Sequence, residues 1–211
     1  MFEFIDVKFK EILDIPKLYI TKDKITSLIG PSGSGKTTIL KMLNKMLSPT
    51  EGQILFNEQS LDRIDSVNHR RHVTMLSQAP AMFDGDIKEN LIAGLKFHKR
   101  EIPDDSVLTE ILVKVKLNKE LSSPAQTLSG GEKQRLALGR VLLLNSEVYL
   151  LDEPSSALDE TTAEAVIEMI TEYAKSENKT LVMVTHSKAI AQRFSDEIIE
   201  VCNGQCNGRS V

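Results

Sequence analysis

Gly30-Pro31-Ser32-Gly33-Ser34-Gly35-Lys36-Thr37 carries the most specific chemistry in the chain: two glycines with four residues between them, then lysine and a hydroxyl residue. Glycines let the backbone turn successive N–H groups inward. The result is a nest for the α and β phosphates of a nucleotide at a helix N-terminus. Lys36 is placed to reach the β and γ phosphates, and the Thr37 hydroxyl to ligate magnesium. Thr38 completes the binding segment, which requires a strand before it and a helix after it.

Carboxylates, an imidazole and an amide supply the rest. Val148-Tyr149-Leu150-Leu151-Asp152 is an apolar run ending in an acid, at the strand end where open α/β sheets place their ligands. There Asp152 can hold magnesium directly or through water. Glu153, the next residue, can polarise a water attacking the γ phosphate as a general base. His186 ends the run over 181–185 in the same manner. Its ring lies beside Glu153 if those two strands flank the strand that feeds the glycine loop, and it can sense the γ phosphate and orient the water. Gln78 follows another predicted strand, and its amide oxygen can face magnesium or water.

The elements that must hold these groups show in the periodicity. Phe2, Phe4, Ile5, Val7 and Phe9 alternate with charged residues except for one slip, which predicts an antiparallel strand with a bulge. A second strand follows over 12–20. The apolar run 25–29 enters the glycine loop, and Ile39, Leu40, Leu43, Met46 and Leu47 recur at helical spacing after it. Residues 52–56 predict a further edge strand with a turn at Asn57-Glu58, and residues 73–76 a buried strand. The runs at 148–151 and 181–184 are continuous and apolar, as in parallel strands covered on both faces. A helix over 161–175 lies between them. Residues 79–127 differ in character, with charge-rich helical patterns at 86–95 and 106–117.

Composition restricts the remaining classes. A chain of 211 residues suits one buried core, or a core with a small inserted subdomain. Hydrophobic residues at 41% and charged residues at 27% are ordinary for a globular protein, which excludes disorder, collagen and disulfide scaffolds. The net charge of -4 leaves no basic field to neutralise many phosphates, so no nucleic-acid partner is expected. Leu136 to Leu144 is the longest apolar stretch and is broken by Gly139 and Arg140. It falls short of the roughly eighteen residues that would span a bilayer, so any membrane role is peripheral. Met1-Phe2-Glu3 does not begin a basic region followed by an apolar one, which makes the cytoplasm the expected location. Cys202 and Cys206 have no further ligands at zinc spacing and read as reduced thiols.

Leu128-Ser129-Gly130-Gly131-Glu132-Lys133-Gln134-Arg135 resembles the signature motif that distinguishes ABC ATPases from other P-loop enzymes. Locally, Ser129 and free N–H groups at a helix start make a second anion site. The order of glycine loop, Gln78, LSGGE, acidic strand end, Ser156-Ala157-Leu158-Asp159 and His186 is similar, over nearly the whole chain, to the ATP-binding subunit of an ABC transporter. That resemblance implies an α/β fold: a P-loop NTPase (RecA-like) core with an N-terminal antiparallel β subdomain and an inserted α-helical subdomain. Residues 1–211 would form one domain, with the core in 1–78 and 128–211 and the helical insert in 79–127.

The resemblance also implies ATP hydrolysis with ATP and Mg2+. Two subunits, identical or paralogous, would stack head to tail, with Ser129, Gly130 and Gly131 of one chain on the γ phosphate held by Lys36 of the other. The loop ending at Asp159 would cross this interface. An integral membrane subunit would dock on the helical subdomain and residues 78–83, from Gln78 to Phe83, placing the protein against the inner face of the cell membrane. Where the family usually stacks an aromatic residue on adenine, Phe9 is the best match. Residues 77–84 look like small stand-alone ATPase subunits of bacterial exporters, including those linked to iron or metal homeostasis. Two other classes stay open. A nucleic-acid clamp would carry coiled coils or tandem domains, and a P-loop small-molecule kinase would use LSGGE only as a helix cap.

Overall fold

The computed structural model describes residues 1–210, and ten strands and seven helices form two sheets with helices around them. The first sheet is antiparallel, built from β1 (Phe2–Phe9), β2 (Leu13–Ile20), β4 (Glu51–Phe56) and β5 (Gln59–Ser60) in the order β2-β1-β4-β5. The predicted slip in β1 is a register shift between Ile5 and Lys8, with Asp6 at φ 50°. Pro16, which cannot donate to a ladder, lies on the edge strand β2. Residues 52–56 were expected at an edge, but β4 is internal. The two-residue β5 covers its outer side through a tight turn in which Asn57 and Glu58 both have positive φ.

The second sheet contains β3 (Ile25–Ile29), β6 (Val73–Leu76), β7 (Val148–Asp152), β8 (Thr180–Val184), β9 (Glu197–Cys202) and β10 (Gln205–Ser210), in the order β10-β9-β3-β8-β7-β6. All neighbours are parallel except β10, which returns antiparallel on β9. Both faces of β3, β6, β7 and β8 are largely buried, as their apolar runs require. Val148, Leu150, Val182 and Val184 face a core shared with Phe2, Phe4 and Ile15 of the first sheet. Tyr149, Leu151, Leu181 and Met183 face the opposite core. The first core also holds α1 (Lys36–Leu43) through Ile39 and Leu40.

The second core is closed by α5 (Gly130–Leu143) and by α6 (Glu160–Ser176), whose Val166, Ile167, Ile170 and Ala174 form one helical stripe. Between β6 and α5 the chain forms α3 (Ile87–Phe97) and α4 (Asp105–Lys114). Leu91, Leu108 and Leu112 of these helices share a cluster with Leu136 of α5 and Leu151 of the sheet, so the helical segment is continuous with the main core.

Several elements depart from the sequence expectations. The helix after the glycine loop was expected to run through Leu47, yet α1 stops at Leu43 and Met46 is exposed. Lys45 takes a left-handed conformation at φ 55°, and the N–H of Met46 bonds to Lys41 O at 2.8 Å, closing the helix. A lysine tolerates that position because its ammonium donates to the carbonyls of Leu61 and Ile64. Two short helices were unforeseen: α2 (Ser66–His72), capped by Asp65, and α7 (Lys188–Phe194), capped by Ser187. Strands β9 and β10 were also unforeseen: Glu197 and Glu200 break the apolar run of β9, and β10 carries mainly polar residues.

Candidate active site

Residues 30–35 link the carboxyl end of β3 to the first turn of α1, so the loop's N–H groups collect at a helix start as the spacing demands. Lys36 is 5% exposed, and its ammonium folds back on the loop, donating to Gly30 O at 2.9 Å and Pro31 O at 2.8 Å. Burial lowers its pKa from the ordinary lysine value, while the charges of Glu153 and Asp152 oppose that shift.

Asp152 ends β7, which pairs with β6 and β8. Its Oδ1 accepts the Thr37 hydroxyl at 3.0 Å, joining the acidic strand end to the glycine loop. Burial raises the Asp152 pKa from the ordinary carboxylate value, against the effect of the Thr37 hydrogen bond. A buried carboxylate beside a hydroxyl is a hard oxygen pair of the kind magnesium takes. Thr37 and Asp152 could therefore hold that ion, while the Gln78 amide nitrogen is turned to Glu153.

Glu153 follows at φ 50°, a left-handed conformation that few non-glycine residues adopt. Its N–H donates to Val184 O at 3.2 Å. Both carboxylate oxygens are engaged: Gln78 Nε2 donates to Oε2 at 2.8 Å, and His186 Nε2 lies 2.8 Å from Oε1. The sequence placed His186 beside Glu153 on the premise that their strands flank the strand feeding the glycine loop. In the structure β8 lies between β3 and β7, so the two residues meet because β7 and β8 are themselves neighbours.

A groove of about 420 Å³ contains Ser32, Gly33, Gly35, Lys36, Thr37 and Thr38 together with Gln78, Glu153 and His186. Phe9 does not line it. That ring is half-buried against the first core, with Lys10 over its face at 5.3 Å. Ile12, which the sequence reading passed over, takes a place in the lining instead and is 42% exposed.

Ser129, Gly130, Gly131 and Asp159 also lie outside the groove lining. Ser129 caps α5 in a reciprocal box: its Oγ accepts from Glu132 N at 3.3 Å, and Glu132 Oε2 accepts from Ser129 N at 2.8 Å. Asp159 caps α6 by accepting from Thr162 N at 3.0 Å. Between them sits Gln134, which sequence reasoning missed. Its amide donates to Glu153 O at 2.8 Å and accepts from Ala157 N at 3.1 Å, connecting α5 to both the acidic strand end and the following loop. Its place inside a polar run gave no sign of this.

A family model described as ABC transporter matches residues 13–156. The chain belongs to the ABC transporter family. Membership makes it an ATP-binding, ATP-hydrolysing cassette subunit of such a transporter, and excludes the small-molecule kinase alternative. Among its relatives, the rice protein STAR1 is 38% identical over 201 residues, covering 95% of this chain and 58% of that one. The phosphate import ATP-binding protein PstB of Tropheryma whipplei is 38% identical over 192 residues, covering 85% of this chain and 74% of that one. A dimeric ATP-binding cassette solved in a post-hydrolysis state with ADP and Pi superposes with a TM-score of 0.88 at 26% identity, covering 100% of this chain and 98% of that one. The cassette of a bacterial Atm1-family exporter shares the fold, with a TM-score of 0.89 at 24% identity, covering 99% of this chain and 38% of the exporter.

Proposed function

We propose that two cassettes, identical or paralogous, close head to tail around two MgATP and that closure and reopening drive a separate membrane-spanning subunit. One observation carries this reading: the signature residues Ser129 and Gly130 are exposed and lie outside the groove that holds Lys36 and Glu153. A phosphate in that groove therefore leaves room for the helix tip of a second chain, whose free N–H groups favour an anion.

Within each site, the loop N–H groups and Lys36 would take the β and γ phosphates. Thr37, Asp152 and Gln78 would hold magnesium, which when bound neutralises charge on the phosphate oxygens. Glu153 is the general base for the attacking water, and His186 keeps that carboxylate oriented and senses the γ phosphate.

Residues 78–83 are tied at one end to Glu153 through Gln78. At the other end, Asn90 of α3 accepts from Phe83 N at 2.8 Å and donates to Phe83 O at 2.9 Å. Phe83 and Phe97 form an exposed edge-to-face pair beside this loop, an apolar contact suited to the membrane partner. No helix among the described residues is long and apolar enough to cross a membrane, so the cassette would sit peripherally on the inner face. The membrane chain would select the cargo.

The test uses light scattering on the Glu153→Gln variant. ATP should convert monomer to dimer, alone or with a paralogous cassette. A chain that stays monomeric at saturating ATP, with every candidate paralogue added, refutes the composite site.

A further inference from the structure

The turn between β9 and β10 reaches the nucleotide groove from behind. Asn203 and Gly204 have φ of 49° and 77°, the conformation of a two-residue hairpin turn. Gly204 N donates to Ser34 O in the glycine loop at 3.2 Å. Its carbonyl accepts from Asp14 N at 2.9 Å. One residue thus bonds the glycine loop on one side and the start of β2 on the other.

The contact is too close for a side chain. A Cβ on Gly204 would fall 2.2 Å from Ile12 O, a backbone atom that cannot swing aside. The ring of contacts continues through Gly30, where a Cβ would fall 2.1 Å from Val201 O. Hairpin, glycine loop and the Ile12 segment are therefore packed main chain to main chain, and the position of Ile12 depends on the hairpin.

Ile12 is the one large aliphatic side chain in the groove lining; the others are glycines, hydroxyl residues, Gln78, Lys36, Glu153 and His186. A nucleotide presents phosphates to the charged groups, and Ile12 is the large aliphatic side chain of the lining against which its flat, weakly polar base can pack. We propose that Gly204 is a positioning residue for nucleotide affinity: the terminal hairpin holds Ile12 where it covers the base, without touching the phosphates. This rests on the nucleotide reading of the groove given above.

The experiment compares ATP with inorganic tripolyphosphate, which has the phosphates but no base, by titration calorimetry on the full chain. Gly204→Ala is expected to weaken ATP binding by about tenfold, the scale of a lost apolar contact, and to leave tripolyphosphate unchanged. Ile12→Ala, at an exposed position that does not endanger folding, should reproduce the pattern. The double variant should lose no more than either single one, because both act on the same contact. Equal losses for the two ligands would mean a damaged phosphate loop and overturn the proposal. So would unchanged ATP affinity in Ile12→Ala, or strictly additive losses. If the unaltered chain binds neither ligand, the nucleotide reading falls as well, and that result is separate from a failure confined to the variants.

Discussion

The Gln134 side chain donates to the main-chain oxygen of Glu153 at 2.8 Å and leaves its own oxygen for Ala157 N. The signature helix is thereby bonded to the residue proposed as general base and to the loop that follows it. Ser156 adds its N–H and hydroxyl to the same Glu153 carbonyl. Movement of α5 would therefore be felt at the Glu153 carboxylate, which Gln78 and His186 hold.

Gln134→Leu keeps the volume and removes both hydrogen bonds at a site 2% exposed. Leaving Ala157 N without its acceptor costs about 1–3 kcal/mol. Thermal unfolding should register that loss, and steady-state kinetics should show a lower kcat with KM for ATP nearly kept. A KM effect alone would contradict the role assigned to Gln134.

Glu153→Gln should bind ATP and hydrolyse it about a hundredfold more slowly, as when a general base is removed. Phosphate release measured under single-turnover conditions checks this directly. Hydrolysis at the normal rate would remove Glu153 from the mechanism.

Asp152 has its pKa raised by burial. A raised acid holds its proton more tightly in the folded chain, so the associated stability is full below the ordinary carboxylate value and is lost as pH rises through the raised one. At neutral pH the charge is therefore a liability to the nucleotide-free chain. Asp152→Asn should raise the melting midpoint at pH 7 by roughly 2–4 °C per kcal/mol recovered, and abolish the magnesium dependence of ATP binding. A midpoint that falls instead would show that the carboxylate stabilises the fold.

His69 is buried between Phe2 and Phe56, with Nε2 2.7 Å from Leu43 O and Nδ1 unpaired. Burial lowers its pKa from the ordinary histidine value. Stability from a depressed histidine is present above that ordinary value, about 6.5, and is lost as pH falls through the folded value. Melting midpoints should drop below about pH 6.5 in the parent chain. In His69→Gln, which keeps a donor for Leu43, the drop over that window should shrink; an identical acid profile would place the titrating group elsewhere.

Sequence alone determined the groups whose chemistry is made by adjacent residues. A glycine loop needs only its own backbone and the helix it starts, and an acid at the end of an apolar run is delivered by that same strand. Lys36, Thr37, Asp152 and the Ser129 cap were legible for this reason. Tertiary structure decided what depends on strand order and on residues far apart in the chain. The order β3-β8-β7 brings His186 to Glu153 by a different route from the one the pattern suggested. Ile12 rather than Phe9 enters the groove, because a turn nearly two hundred residues later bonds to Asp14 and Ser34. Gln134 meets Glu153 for the same reason. Periodicity reports which face of an element is buried, and no local pattern states which distant backbone that face will meet.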